Sequence, residues 1–422
     1  MYQKTHHPEL IGIVDTWRTQ ELLHTAQSRI DTYRRGQLVV SVNASDGRPL
    51  EAVPVHIQQT SHAFQFGCAA LSLHSHQQPA VEALYQKLFL NVFNFATIMV
   101  FWHEIEKSSG AFNLELHLKR AKTLKSAGVT VKGHPLILPG VCPSWVSKDP
   151  DLAKKSVERW IRTMVHSFRG LIDTWDVVGD IWTGDTAQNG IGEWIRKVGR
   201  DAVFADALRW TKSENPKANT LYNDFALDNA FQDLIRKATK SGAPVDTLGL
   251  EAHMSGAGWP LEQLWVHADT FGKLKLPLHF SEITVGSESL TPSVRAGQIT
   301  TRSGEARQAE YVETMYRILF SHPLTTGICW WNLVDGDWGN NAGGLLRSDM
   351  TPKPAYDVIE RLIKDEWTTN TVVRTNHLGE VDLPVYAGAY KISCPAMNGV
   401  ESARSCTVKP RGRTRIQLEP TQ

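Results

Sequence analysis

Cysteine is scarce: the 422 residues contain five, an odd number that cannot all pair within one chain, and none has the close CxxC spacing of a metal cluster. A small disulfide-stapled module is therefore excluded. Cys394 and Cys406 stand where they could clip a C-terminal hairpin, while Cys68, Cys142 and Cys329 read as reduced core thiols. No run of about 18 apolar residues occurs, so no membrane contact is expected. The start, MYQKTHHPEL, lacks the apolar stretch of a secretory signal, which makes the cytoplasm the default location. An excess of one charge is also missing, since 45 basic against 44 acidic side chains leave a formal charge of +1. Basic residues do not cluster with aromatics, so no nucleic-acid partner is expected. HExxH is absent and no GxGxxG loop follows an early strand, so neither a catalytic metal nor a cofactor is indicated.

Tryptophan is what the chain has in excess, with 14 residues. An indole can fill a core or stack on the flat face of a sugar. Residues 19–34 place Leu22, Leu23, Ala26, Ile30 and Tyr33 on one stripe, which predicts a helix ending by Gly36. Alternation at Leu38, Val40, Val42 and again at Val53, Val55, Ile57 predicts two strands around an Asp46–Gly47 turn. Residues 371–422 have short apolar stretches without a helical period, and a small β domain fits there, one that could share a sandwich with the N-terminal strands. Between these ends lie eight short apolar runs separated by amphipathic segments: 64–68, 95–100, 129–133, 172–178, 219–223, 247–250, 278–281 and 326–331. Eight such alternations predict an α/β fold, a (β/α)8 TIM barrel over 62–366, with a flanking β-rich region formed by 1–61 and 367–422.

In such a barrel the carboxyl ends of the strands collect the chemistry. The seventh run ends at Glu282, a carboxylate able to attack an anomeric carbon or to stabilise the charge that develops there. Asp180, 102 residues upstream at the end of the fourth run, is its candidate acid partner, although a helix cap or a structural ion pair would account for it equally. Asp176, Asp185, Asp224 and Glu251 compete for these roles. His134 and His253 are candidates for holding substrate hydroxyls and fixing Glu282, and with His279 they raise a metal site that matches no compact zinc pattern. Trp102, Trp175, Trp330, Trp331 and Trp338 are candidate sugar platforms, some of them necessarily core. Residues 336–344, GDWGNNAGG, read as a loop over the site.

These motifs, taken in order, resemble glycoside hydrolase family 10, the family of endo-β-1,4-xylanases, over approximately 62–362. GHPL at 133–136 is similar to the family's GHTL, WDVVGD at 175–180 to WDVVNE, and LYNDF at 221–225 to YxNDY. GLEAHM at 249–254 is similar to GLQSHL, and HFSEIT at 279–284 stands where the family carries TELD. WWNLVD at 330–335 and GLLRSDMTPKPAY at 344–356 resemble the closing segments. The resemblance implies cofactor-free cleavage of a β-linked polysaccharide with retention, by a monomer acting outside the cell or in a periplasm. It implies Glu282 as nucleophile and Asp180 as acid/base. Trp175 and Asn223 join His134, His253, Trp331 and Trp338 as substrate-site positions.

The chain departs from that pattern at several points. The acid is Asp180, one methylene shorter than Glu, and its neighbour is Gly179 in place of Asn. Residues 97–102 read TIMVFW where the family has TxEN, and Leu138 and Pro139 replace a Trp and a His. Two readings follow: a divergent glycosidase, or a noncatalytic carbohydrate-binding protein on the same barrel.

Overall fold

The computed structural model describes residues 16–172, 174–254, 258–288, 299–339, 341–395 and 402–419. The MYQKTHHPEL start and Asn340 of the 336–344 loop lie outside them. Fifteen strands are described: β1 (Arg35–Val42), β2 (Pro54–His62), β3 (Gln65–Ala69), β4 (Phe95–Met99), β5 (Thr130–His134), β6 (Thr174–Gly179), β7 (Asn219–Asp224), β8 (Thr247–Met254), β9 (Leu278–Val285), β10 (Thr325–Trp330), β11 (Asn370–Arg374), β12 (Glu380–Tyr386), β13 (Gly388–Cys394), β14 (Ser402–Val408) and β15 (Arg413–Leu418). Strands β3 to β10 close a barrel in chain order, with β10 paired to β3. Every barrel pairing is parallel, so all the strands deliver their carboxyl ends to one face. The apolar runs are continuous rather than alternating because these strands are buried on both faces, by barrel interior and by helices.

The flanking strands form two sheets, ordered β12-β1-β15 and β11-β2-β13-β14. Each mixes N-terminal with C-terminal segments, and Leu38, Val40, Val55, Ile57, Val385 and Ile392 fill the space between them. The helix Thr16–Arg34 precedes β1, and Arg34 at its end donates to the carbonyls of Phe320, His322 and Thr325, tying it to the barrel. The expected Cys394–Cys406 clip is not formed. In the β13–β14 pair Tyr390 faces Cys406 and Cys394 faces Ser402, so the two thiols stand roughly 13 Å apart along the strands, beyond disulfide reach. Both are free. Among the described residues no helix is long and apolar enough to cross a membrane.

Candidate active site

The barrel mouth opens into a cavity of about 610 Å³ lined by Glu282, Asp180, Glu251, His134, His253, Trp331 and Trp338. β8 and β9 run on to Met254 and Val285, so Glu251, His253 and Glu282, expected at the ends of these strands, sit within them. A register shift between Leu250 and Glu251 sets Glu251 directly beside Glu282, whereas Leu250 faces Phe280. Such an irregularity re-aims one side chain without disturbing the rest of the ladder.

Glu282 is buried and held from three directions. Asn223 Nδ2 donates to its Oε1 at 2.7 Å, and His253 Nε2 meets its Oε2 at 3.0 Å. His134 Nδ1 lies 3.5 Å from Oε1 and 2.6 Å from Asp176 Oδ2. Burial alone would raise the Glu282 pKa, but His134, the His253 hydrogen bond and Lys132 together outweigh it and the net direction is down. The Glu282 carboxylate is thus kept charged and fixed in angle.

Asp180 has the opposite environment. Burial, followed by the charges of Asp224 and Glu282, pushes its pKa up to about 7. The residue caps the short turn Ile181–Thr186 in position only, because its side chain makes no capping bond there. Its backbone is left-handed (φ 50°, ψ 34°), a conformation that Asp tolerates better than most side chains. This turns the carboxyl group toward the cavity, where its Oδ1 is buried without a donor among the described residues. Two carboxyl groups with pKa values driven apart, both lining one cleft, form an arrangement capable of acid–base chemistry.

Trp331 is almost completely buried, its ring edge-on to His134 and His253 at 5.2 and 5.7 Å. Its indole N–H has no partner among the described residues. Trp338 is 38% exposed and stacks on His253 at 4.5 Å, giving an aromatic wall beside Glu282. Asn223 is buried behind Glu282, where it bonds the carboxylate rather than presenting itself to the open cavity.

Three of the five tryptophan candidates belong to the core. Trp175 is fully buried and packs so tightly on Gly133 that a Cβ there would lie 2.3 Å from its ring. The expected substrate contact at Trp175 is therefore corrected to a packing role. Trp102 stacks on Trp160 and donates to Glu106, and Trp330 donates to the carbonyl of Gly343. Asp185 pairs with Arg200 away from the cavity, and Asp224 accepts from Tyr222 Oη at 2.6 Å. His279 lies lower in the barrel, edge-on to Phe95. Sequence reasoning missed the apolar walls Phe101, Val141, Phe225 and Trp259, which no local motif distinguishes from core. Two clusters, His134–Asp176–Glu282 and Glu251–His253–Glu282, are compact enough to be considered for a cation. In both, the carboxylates already face N–H donors from Asn223 or the histidines, so hydrogen bonding accounts for them.

Residues 57–362 match the family described as Glycosyl hydrolase family 10. The chain is 25% identical over 381 residues to the anti-sigma-I factor RsgI6 of Acetivibrio thermocellus, an alignment covering 87% of this chain and 46% of that protein. It thus spans less than half of that relative. It is 24% identical over 282 residues to endo-1,4-beta-xylanase B of Thermotoga neapolitana, covering 63% of this chain and 78% of the xylanase. Among solved structures, xylanase 10B of Thermotoga petrophila in complex with xylobiose superposes with a TM-score of 0.61 at 22% identity, over 72% of this chain and 95% of that one.

Proposed function

Since the chain belongs to glycosyl hydrolase family 10, we propose that it is a retaining, endo-acting glycosidase of xylan-like β-linked polysaccharides, with Glu282 as nucleophile and Asp180 as acid/base. The observation that carries this reading is the opposed pair in one cavity: Glu282 pushed down by His134 and His253 against its burial, and Asp180 pushed up to about 7 by burial and neighbouring charge. In the first step Asp180 gives its proton to the leaving glycosidic oxygen while Glu282 Oε bonds to the anomeric carbon and the C–O bond breaks. In the second, Asp180 takes a proton from water, and the resulting hydroxide displaces Glu282 from the same carbon. Asn223 and His253 fix the attacking carboxylate, and His134 supports it from the β5 side. Trp331 and Trp338 are assigned to the sugar faces, an assignment supported by their free indole N–H and exposed ring, respectively. The xylobiose bound to the Thermotoga petrophila relative favours a pentose-based substrate. The division of the chain near residues 62 and 366 belongs to the same proposal.

A second reading is a glycan-binding protein without turnover. It is favoured by the shortened acid and by the match of 87% of the chain to an anti-sigma factor. The deciding experiment measures product release from xylan, mixed-linkage glucan and acidic β-linked glycans by wild type, E282A and D180N. Release by wild type that both variants lose supports the glycosidase. Glycan binding without release from any of them supports the binder.

A further inference from the structure

The cavity at the barrel mouth has a wall that the two displacement steps leave unused. Phe101 after β4, Leu138 and Val141 after β5, and Gly179 at the end of β6 line it. The three apolar side chains are half-buried, and among the described residues none of them packs into the hydrophobic core of the barrel. Phe101 instead stands edge-on to His134 at 6.4 Å. These side chains therefore serve the cavity and not the core. The wall has little to offer a sugar hydroxyl. The backbone N–H groups of Val141 and Gly179 already donate to the carbonyls of Leu138 and Ile137, each at 2.9 Å. Thr183, which lines the same side, donates its hydroxyl to the Asp180 carbonyl at 3.2 Å. There is also room, since a Cβ placed on Gly179 would meet nothing closer than Leu138 Cδ1 at 3.6 Å and Pro135 Cβ at 3.7 Å.

We propose that this wall is a subsite for a ring hydroxyl capped by a small apolar group, so that the cleft takes an O-acetylated or O-methylated β-linked glycan in preference to a bare one. This rests on the reading that the cleft binds a β-linked glycan, and it names the substrate class of that same site. A free hydroxyl turned to the wall gives up water and gains no side-chain partner there, which costs about tenfold in affinity. A cap removes the orphaned O–H donor and buries a methyl group against Phe101, Leu138 and Val141. The opposite side of the cleft cannot take over this task. His253 has Nε2 on Glu282 at 3.0 Å and Nδ1 on Thr284 at 3.1 Å, and Asn223 spends its amide hydrogens on Glu251 and Glu282. Those hydrogen bonds fix the attacking carboxylate, and discrimination between substituents falls to the apolar wall. No bond to the cap breaks in either displacement step, so their balance is unchanged.

The test measures binding without turnover, by calorimetry on E282A with xylo-oligosaccharides of one length in bare, O-acetylated and O-methylated form. Both capped forms should bind about tenfold tighter than the bare one. Val141→Thr and Leu138→Asn, each added to E282A, put a polar group on the wall and should cut that preference to below about threefold. Bare oligosaccharide binding as tightly as the capped forms overturns the proposal. So does a preference for the acetylated form alone, or one that neither wall variant moves, because the cap is then recognised elsewhere or through its carbonyl. Failure of the glycosidase reading looks different: E282A shows the expected preference while wild type releases no product from any of the three. Conversely, release from bare xylan by wild type together with no preference in binding leaves the glycosidase reading standing and overturns this one.

Discussion

The two sides of the barrel mouth differ in kind. On the β7–β9 side, Asn223, Glu251, His253, Ser281 and Glu282 form one connected hydrogen-bond network with almost no slack. On the β4–β6 side the cavity wall beyond His134 is Phe101, Leu138, Val141 and Gly179, a largely apolar surface from which Asp180 projects on a left-handed turn. The difference separates two demands of glycoside cleavage. Attack on the anomeric carbon needs a fixed, charged oxygen, and the polar side supplies it. Departure of the leaving group needs a proton, which Asp180 must deliver across a wall that offers few other polar contacts.

The largest effect should come from the polar side. Removing the carboxylate in E282A should lower glycan hydrolysis by about 10,000-fold, measured as reducing ends released. A loss below tenfold would mean that another group attacks. On the other side, D180N should cost about 100- to 10,000-fold on ordinary glycans, whose leaving groups need protonation, and far less on aryl glycosides with good leaving groups. Equal losses on both substrate types would remove Asp180 from the acid role. The pH dependence has a definite sign. Asp180 works protonated, so kcat/KM should fall as pH rises through about 7. Glu282 works ionised and is shifted down, so the acid limb should lie below the usual glutamate range. A profile flat between pH 6 and 8 would contradict this assignment.

This contrast was only partly legible in the sequence. Eight apolar runs located the eight barrel strands because a parallel strand buried on both faces needs an unbroken apolar run. That same lack of alternation hides which way a side chain points, so Trp102, Trp175 and Trp330 stayed on the list of candidate platforms although Trp331 is the one the mouth favours. Glu251 was visible as one of several carboxylates near the mouth. Its place beside Glu282 depends on a one-residue register shift, which leaves no mark on composition or periodicity. The expected Cys394–Cys406 clip failed for a related reason: hairpin register, not proximity in sequence, sets which residues face each other.

A smaller effect sharpens the assignment of the aromatic wall. Trp331→Ala should raise KM roughly tenfold, about 1.4 kcal/mol, through loss of the stacking face and of its free N–H. Trp338→Ala should cost less, because that ring is partly exposed and already engaged with His253. A change confined to kcat would instead mean that Trp331 acts by holding His134 and His253.

The smallest effect should come from one of a pair of glycines, one on each side, Gly179. A Cβ at Gly249, on β8, would sit 2.5 Å from Asn223 Oδ1 and 2.9 Å from Ser281 Oγ. G249A should therefore push on the network that holds Glu282, destabilise the fold by about 1–3 kcal/mol and depress activity with it. At Gly179 the nearest atoms are Leu138 Cδ1 at 3.6 Å and Pro135 Cβ at 3.7 Å, ordinary contact distances, and its backbone is not left-handed. G179A should stay within about 1 kcal/mol of wild type, on the stabilising side because the unfolded chain loses freedom. Thermal melts of the two variants thus compare the slack on each side directly. If G179A destabilises as much as G249A, the apolar side is as tightly packed as the polar side, and room for adaptation around the acid is lost as an explanation of how Asp180 is accommodated.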